Sequence, residues 1–497
     1  MNAPLKAPDA LPFDNSYARL PEKFYQRLNP TPVAGPKLIR LNEPLALELG
    51  LDPAWLSSGE GVAMLAGNAV ADGSTPIAMA YAGHQFGNFV PQLGDGRALL
   101  LGEVIDRQGV RRDIQLKGSG PTRFSRQGDG RAALGPVLRE YVLSEFMAAA
   151  GIPTTRSLAA VATGETVWRE TGLPGAVLTR VASSHVRIGT FQFFAARRDV
   201  EGIRHLADYV IARHYPQAAQ AANPYRGLLD EVVVRQADLV AQWLLISFIH
   251  GVMNTDNVSV AGETIDYGPC AFMDTYHPST VFSSIDRGGR YAYGNQPRIA
   301  QWNLARFAET LLPVLAPSDD AALQQAQEGI DGFIPRFQAA YSSGLSRKLG
   351  FCQGNLDNIA LAQELLEAMA EAGADYTLVF RRLSDAAENP AADAPVRALF
   401  ADTAKFDAWA PKWRAQLSKD AMDGKERAKT MRAVNPLFIP RNHRVEQAIV
   451  AAVSGDFFPF EKLLAVLATP FDEQPEFADY ANPPMPDEIV QQTFCGT

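Results

Sequence analysis

Cysteine is scarce in this chain: its 497 residues contain three, Cys270, Cys352 and Cys495. Three thiols are too few to hold together a secreted disulfide scaffold, and such a composition is typical of a protein kept in a reducing compartment. The first residues, MNAPLKAPDALPF, contain no apolar core of the kind that secretory signals carry. We therefore expect a cytoplasmic protein.

Long hydrophobic runs and an excess of positive charge are also missing. The most apolar run, residues 239–252, includes Gln242 and His250 and is shorter than the roughly 20 residues that span a bilayer, so we expect no membrane insertion. A net charge of -9 argues against a general nucleic-acid-binding protein, because a phosphate backbone requires a basic surface. The chain is 47% hydrophobic and 20% charged, as soluble globular proteins are, and its length predicts two or three domains or lobes.

One stretch, residues 250–268, concentrates polar oxygen atoms: HGVMNTDNVSVAGETIDYG. Its pattern predicts a hairpin with a short apolar strand at 258–260, a turn, and a return to Asp266. Asn257 and Asp266 would then lie on adjacent arms, where amide and carboxylate oxygens can share a Mg²⁺ ion with nucleotide phosphates. An ordinary polar hairpin explains this stretch equally well, so the metal site is a hypothesis.

A glycine-rich segment, residues 91–118, reads PQLGDGRALLLGEVIDRQGVRRDIQLKG. Three glycines punctuate the first hairpin predicted here: Gly94, Gly96 and Gly102. Residues 106–109 predict a turn into a further strand that ends at Lys117. Glycines let backbone N–H groups approach phosphates, and Arg97 would lie at the tip. Most glycine-rich hairpins bind no nucleotide, so this signal is weak alone.

A helix is well marked after this segment, with apolar residues at helical spacing from Leu134 and a stop at Gly151. Glu140 lies at the flank of its buried face, from where its carboxylate can reach a lysine on the preceding sheet. A glycine-rich hairpin, a strand with lysine and a helix with glutamate follow one another in the small lobe of protein-kinase-like folds, where the Lys–Glu pair directs the ammonium at phosphates. A solvated helix residue is the alternative for Glu140.

The rest of the chain predicts strands at residues 157–167 and 176–181, then mostly helices. Helices are expected at these residues: 201–215, 228–250, 302–315, 320–342, 355–372, 394–416 and 443–468. The expected fold is α+β: a kinase-like two-lobed fold with a small β-rich lobe, a large mostly helical lobe, an N-terminal arm and a helical C-terminal extension. The corresponding boundaries are 1–75 for the arm, 76–182 for the small lobe, 183–345 for the large lobe and 346–497 for the extension.

The kinase pattern has one departure. Protein kinases carry H-R-D, an Asn five residues after the Asp, and then D-F-G. Here His250, Asn257 and the sequence Asp266-Tyr267-Gly268 occupy the His, Asn and DFG places, but Val252 replaces the catalytic Asp. Valine cannot accept a proton, and the carboxylate best placed to substitute for the missing one is Asp256.

With these residues identified, the chain resembles the selenoprotein O family of kinase-like protein adenylyltransferases. Five segments in order are similar to family blocks: LGDGRALLLGE, QLKGSGPTRFSRQGDGRAALGPVLREY, TRVASSHVRIGTF, HGVMNTDN and TIDYGPCAFMD. The resemblance implies that ATP binds in a flipped orientation, so that AMP is transferred to a Ser, Thr or Tyr hydroxyl of a protein and pyrophosphate is released.

The resemblance also implies roles for individual residues. Asp256 would be the general base, and Asn257 and Asp266 would hold Mg²⁺ or Mn²⁺. Lys117 would hold phosphates and pair with Glu140. The other residues implied to lie around the nucleotide are Gly94, Gly96, Arg97, Asp129, Gly130, Arg180 and Arg187. Two alternative functions remain compatible with the sequence: an atypical kinase that transfers the γ-phosphate, and a catalytically inactive nucleotide-binding pseudokinase scaffold.

Cys495, third from the end of the chain, would be the cysteine equivalent of the selenocysteine found in some members. We hypothesise an intramolecular disulfide between Cys495 and Cys270 or Cys352 that restrains the segment after Asp266 under oxidation. Three unrelated thiols are the alternative. His84 and His185 have no partner at metal-ligand spacing, so no zinc site is predicted, and His250 is expected to be structural.

Overall fold

A computed structural model of the chain describes residues 11–352, 355–419 and 421–494. The part up to residue 182 is built around one antiparallel sheet. The strands of this part are β1 (Tyr25–Arg27), β2 (Lys37–Leu41), β3 (Ile77–Met79), β4 (Gly83–Gln85), β5 (Asn88–Val90), β6 (Ala98–Ile105), β7 (Arg111–Lys117), β8 (Ala132–Ala133), β9 (Arg156–Trp168) and β10 (Gly172–Ala182). Its helices are α1 (Glu43–Glu48), α2 (Pro53–Leu56), α3 (Gly59–Ala66) and α4 (Leu134–Ala149).

The strand order of the main sheet is β1-β3-β6-β7-β10-β9-β2, with β8 paired to β10. Strands β7 and β10 are neighbours, with Leu178 opposite Lys117 and Arg180 opposite Gln115. Strands β4 and β5 pair only with each other, as a small separate hairpin. The sheet therefore brings Lys117 and Arg180 onto adjacent strands near its centre.

Both faces of the sheet are covered. Helices α1 to α3 pack leucines such as Leu45 and Leu65 against Leu116 and Val161 on one face. Helix α4 packs Val137 and Leu138 into the core on the other face, which continues into the helical part of the chain. Because α4 lies between sheet and helices, its polar residues are placed at the junction of the two parts.

The chain after residue 182 is mainly helical. The helices are α5 (Ile188–Ala195), α6 (Val200–His214), α7 (Pro224–Leu245), α8 (Gln296–Leu315), α9 (Asp319–Asp331), α10 (Phe333–Lys348), α11 (Leu356–Ala372), α12 (Tyr376–Glu388), α13 (Asp393–Arg397), α14 (Thr403–Leu417), α15 (Gly424–Arg432), α16 (Asn442–Val453) and α17 (Phe458–Leu467). Two short strands, β11 (Phe248–Ile249) and β12 (Ala271–Phe272), pair antiparallel. The predicted mixture of a sheet lobe and a helical lobe is confirmed.

Several boundaries differ from the sequence prediction. The helix expected at 228–250 ends at Leu245, because Ser247 has a positive φ of 61° and the chain continues as β11. The runs expected at 320–342, 394–416 and 443–468 are each divided into two helices, and α5, α12 and α15 are among the helices that were missed. None of the helices in the described ranges is both long and apolar enough to cross a membrane.

Both predicted hairpins around the polar motifs were wrong. Residues 94–97 form no hairpin; they lead into the single strand β6, where Gly102 follows a β-bulge. Residues 258–266 do not pair with each other either, because each arm finds a distant partner: Ser259 bridges Arg187, and Thr264 bridges Thr154. The stretch is instead a long loop, residues 250–270, closed at its neck by the β11–β12 pair; we call it the central loop.

Candidate active site

A buried trio of charges lies where β7, β10 and α4 meet. Lys117 Nζ is 2.5 Å from Glu140 Oε2, and Arg180 Nε donates to Glu140 Oε1 at 2.5 Å. Glu140 is 1% exposed, which confirms that it faces the sheet and is not a solvated helix residue. Burial opposes ionisation of this carboxyl, but Arg180 and Lys117 outweigh burial and lower its pKa. Both basic side chains are thereby fixed at the junction of the lobes.

Asp266 joins this trio from the central loop. Its Oδ1 accepts from Arg180 Nη2 at 2.6 Å and lies 3.8 Å from Lys117 Nζ, and its Oδ2 accepts from Arg187 Nη1 at 3.3 Å. Burial disfavours the charge, but Arg180, Lys117 and Arg187 lower the pKa well below its usual value, so Asp266 is ionised. Its φ of 63° is unusual for a non-glycine residue and marks a backbone held by its surroundings.

The charges of this cluster do not cancel. Lys117, Arg180 and Arg187 carry three positive charges, while Glu140 and Asp266 carry two negative ones. Arg97 adds positive potential. The pKa of Lys117 is lowered mainly by burial and by Arg180, and the charge of Arg97 lowers it further. A buried site with surplus positive charge suits phosphate groups.

Asp256 lies beside this cluster on the turn at Thr255–Asn257. Arg187 Nη1, which contacts Asp266, also donates to the backbone oxygen of Asp256 at 2.9 Å. The Asp256 side chain is buried: Oδ2 accepts from Gln85 Nε2 at 3.2 Å, while Oδ1 has no hydrogen-bond partner among the described residues. Burial raises the pKa of Asp256 to about 6. A carboxylate with one unpaired oxygen and a raised pKa can accept a proton from a hydroxyl.

Asn257, Val252 and His250 give the central loop its shape. Asn257 Nδ2 donates to the Val252 backbone oxygen at 3.0 Å, which orients the amide. Val252 is 5% exposed and packs as an apolar residue. His250 Nε2 lies 2.9 Å from the oxygen of Ile265, next to Asp266, and its Nδ1 lies 3.4 Å from the Val252 nitrogen. His250 thus has the structural role that its sequence predicts.

The chemistry of the donor set fits a hard divalent ion. Asp266 supplies an ionised carboxylate and Asn257 an amide oxygen, and such oxygen ligands suit Mg²⁺ when nucleotide phosphates complete the shell. Among the described residues, no group of three or more His, Cys, Asp or Glu side chains forms a metal site of its own. Two side-chain oxygens leave most coordination positions of such an ion to other ligands.

The glycine-rich segment before β6 packs against a neighbouring loop. Gly94 has a φ of 130°, and a Cβ there would lie 2.4 Å from the ring of Phe124; one at Gly96 would lie 2.9 Å from the Phe124 oxygen. The backbone oxygen of Arg97 accepts from Gly118 at the end of β7. Close packing on Phe124 therefore requires these glycines, and it places Arg97 beside the strand that carries Lys117.

Asp129 and Gly130 have structural contacts away from the charge cluster. Asp129 Oδ2 is 2.8 Å from Arg169 Nη1, in the connection between β9 and β10. The guanidinium of Arg169 lowers the pKa of Asp129. A Cβ at Gly130 would lie 2.1 Å from Gly120, so glycine is needed for this close backbone approach. These contacts stabilise the loop after β7, and none of them involves Lys117, Arg180 or Asp266.

The β4–β5 hairpin contributes residues that the sequence did not predict. Gln85 contacts Asp256, the Phe86 N–H donates to Asn254 Oδ1 at 2.9 Å, and the His84 N–H donates to Thr255 Oγ1 at 2.7 Å. The sequence GHQFGN contains one signal for this hairpin, a Phe-Gly pair between two short potential strands. Phenylalanine, however, is not a usual turn residue. The hairpin holds the turn that carries Asp256.

The cysteines give only part of the predicted arrangement. Cys270 is buried, and burial raises the pKa of its thiol to about 12, while Cys352 is exposed. No disulfide joins these two described residues. Cys495 lies outside the described residues, so its hypothesised pairing stays a prediction.

Comparisons with known proteins identify the family. The profile described as "Protein adenylyltransferase SelO" matches residues 9–468. The chain is 66% identical over 487 residues to "Protein nucleotidyltransferase YdiU" of Rhodopseudomonas palustris (strain BisB5), covering 98% of this chain and 99% of that protein. It is 64% identical to the protein of the same name from Bradyrhizobium sp. (strain BTAi1 / ATCC BAA-1182), with the same coverage. The chain belongs to the SelO family of protein adenylyltransferases.

Proposed function

We propose that this chain transfers AMP from ATP to Ser, Thr or Tyr hydroxyls of proteins and releases pyrophosphate. The observation that carries the proposal is the placement of Asp256, whose buried carboxylate has one unpaired oxygen, beside the charge cluster of Lys117, Arg180 and Asp266. Arg187 connects the two, because it donates to both Asp256 and Asp266. The names of the family and of its relatives, adenylyltransferase and nucleotidyltransferase, support AMP as the group transferred.

The two lobes would act as in a protein-kinase-like fold, with the nucleotide at their junction. Lys117, Arg180 and Arg187 would neutralise charge that builds on the phosphates during transfer, where preorganised cations contribute most to the rate. Glu140 would hold Lys117 and Arg180 in place, and Gly94, Gly96 and Arg97 would border the nucleotide. Asp129 and Gly130 would support that border through the loop after β7.

Asn257 and Asp266 would hold Mg²⁺ or Mn²⁺ together with the nucleotide. Such an ion, when bound, draws electron density from the phosphate oxygens and offsets their charge. Asp256 would take the proton from the acceptor hydroxyl. The hydroxyl oxygen then forms a bond to the α-phosphorus, the bond from this phosphorus to the α–β bridging oxygen breaks, and pyrophosphate leaves.

Labelled ATP tests the proposal. The protein is incubated with acceptor proteins and with ATP labelled at either the α or the γ phosphate. Label from the α position alone should enter protein. Entry of γ-label alone would instead identify an atypical kinase, and nucleotide binding without transfer of either label would identify a pseudokinase scaffold.

A further inference from the structure

The tip of the β4–β5 hairpin and the side chains around it form a partly exposed surface near Asp256. Gln85 contacts the Asp256 carboxylate, and Gly87, two residues further, lies at the exposed turn. Two residues of extended chain cover roughly 7 Å, so a protein segment lying on the hairpin would pass close to the proposed base. The surface is defined here by Gly87, Phe89, Arg290, Trp302 and Arg306, and we call it the hairpin surface.

The hairpin turn has an unusual conformation. Its two turn residues, Phe86 and Gly87, both have positive φ values, 51° and 86°. Two-residue hairpin turns of this kind favour Asn-Gly, and a bulky residue at the first position is rare. The ring of Phe86 lies 5.1 Å from that of Tyr291, whose hydroxyl donates to Asn254 Oδ1 at 2.8 Å. Packing on Tyr291, which is hydrogen-bonded to Asn254 of the central loop, therefore holds the turn in place.

Arginines and aromatic rings make up the hairpin surface. The Arg290 guanidinium lies 4.7 Å from the Trp302 ring centre and within 3.7 Å of where a Gly87 Cβ would be. Arg306 also lies over Trp302, at 5.2 Å. The His84 ring is 4.9 Å from Phe89, which is 42% exposed, and 5.3 Å from Trp302. Burial, together with the charges of Arg306 and Arg290, lowers the pKa of His84, which is thus neutral near pH 7.

Arg290 differs from most arginines of this chain in its partners. Within the described residues, no carboxylate lies within 4.0 Å of its guanidinium, whereas Arg306 pairs with Glu309 at 2.6 Å. The buried Nε atom of Arg290 has no hydrogen-bond partner there either. Among the described residues, Arg290 therefore has no carboxylate partner that would compete with a carboxylate of a substrate.

We propose that the hairpin surface binds the acceptor segment of the protein substrate and that Arg290 recognises an acidic side chain within about three residues of the acceptor hydroxyl. The guanidinium lies between the Trp302 and Tyr291 rings, 4.7 and 5.7 Å from their centres, and its terminal N–H groups would donate to the carboxylate. Phe89 provides apolar contact for the same segment. This inference rests on the proposed function and names the class of substrate for that site.

The test compares modified sites between variants. Wild type, Arg290→Gln, Arg290→Lys, Arg290→Glu and Arg287→Gln each react with ATP and a nucleotide-depleted bacterial protein extract, and adenylylated sites are mapped by mass spectrometry. Arg287 is an exposed arginine three residues away and is the matched control. Thermal unfolding of each variant checks that it is folded.

Wild type and the Arg287→Gln variant should prefer sites with Asp or Glu near the acceptor by roughly fivefold, as an exposed charge pair allows. The preference should vanish in Arg290→Gln, persist in Arg290→Lys, and turn toward Lys and Arg in Arg290→Glu. Wild-type sites without acidic enrichment, or the same enrichment in the Gln and Glu variants, would overturn the inference. An absence of any adenylylated site would instead overturn the proposed function.

Discussion

Gly83 provides a way to move Asp256 without changing it. A Cβ at position 83 would lie 2.4 Å from Asp256 Oδ1 and 2.9 Å from its Cγ. Ordinary contact begins at 3.4 Å, so a Gly83→Ala substitution must displace the carboxylate or β4 by about 1 Å. Gly83 is not one of the described residues with a positive φ, so alanine introduces no backbone strain there.

The expected loss of activity follows from this displacement. A shift of about 1 Å in a catalytic group can reduce the rate about 100-fold, which corresponds to about 2.7 kcal/mol in activation free energy. Overpacking in a buried site costs about 1–3 kcal/mol of unfolding free energy. We therefore expect Gly83→Ala to fold with a reduced Tm, to bind ATP as wild type does, and to transfer α-label about 100-fold more slowly.

The assay measures initial rates of α-label transfer, ATP affinity and Tm for Gly83→Ala and for Gly59→Ala. Gly59 is the control, since a Cβ there meets nothing within 4 Å. Adding Gly83→Ala to Asp256→Ala should cause little further loss, because the carboxylate it displaces is already gone. Wild-type rates in a folded Gly83→Ala protein would refute the reasoning that Asp256 must occupy this position.

Three further predictions concern the charged residues. Asp266→Ala should abolish transfer with the fold retained, as should chelation of divalent ions, and activity that survives the substitution would contradict the metal assignment. Glu140→Gln should lower the unfolding free energy by about 3 kcal/mol, because it leaves Lys117 and Arg180 buried with less compensation, and it should weaken ATP binding. Asp113→Asn should destabilise the protein most near neutral pH. Burial opposes its charge, but Arg213 and His185 depress its pKa, so its stabilisation is full above the unfolded value near 3.8 and declines as pH falls below it.

Urea unfolding checks the two stability predictions. Asp407→Asn, which removes an exposed carboxylate paired with Arg397, serves as the control and should leave the urea midpoint near that of wild type. For Asp113→Asn the midpoint is compared at pH 7 and pH 3. An equal difference from wild type at both pH values would show that the carboxylate charge is not the cause.

The residues that were predictable from sequence are those fixed by regular elements. The spacing of apolar residues in α4 placed Glu140 at the flank of its buried face, and the end of β7 placed Lys117, so their ion pair followed from the order of strand and helix. Arg180 was identified as a candidate, but its simultaneous contact with Glu140 and Asp266 depends on the pairing of β10 with β7, which is a long-range feature.

The central loop could not be predicted because its partners are distant in sequence. Residues 258–266 have the pattern of a hairpin, but Ser259 and Thr264 instead bridge Arg187 and Thr154, more than 70 residues away. Gln85 was missed for a similar reason, since its contact with Asp256 spans 171 residues. Phe86 adopts a positive φ that only its tertiary contacts make favourable.

Mass spectrometry of an acceptor protein after reaction with ATP and Mg²⁺ tests the central claim most directly. Wild type should leave AMP on Ser, Thr or Tyr side chains and release one pyrophosphate per adduct, and Asp256→Ala should leave neither. Phosphate on the acceptor with release of ADP, or an unchanged yield of AMP adducts with Asp256→Ala, would contradict the account.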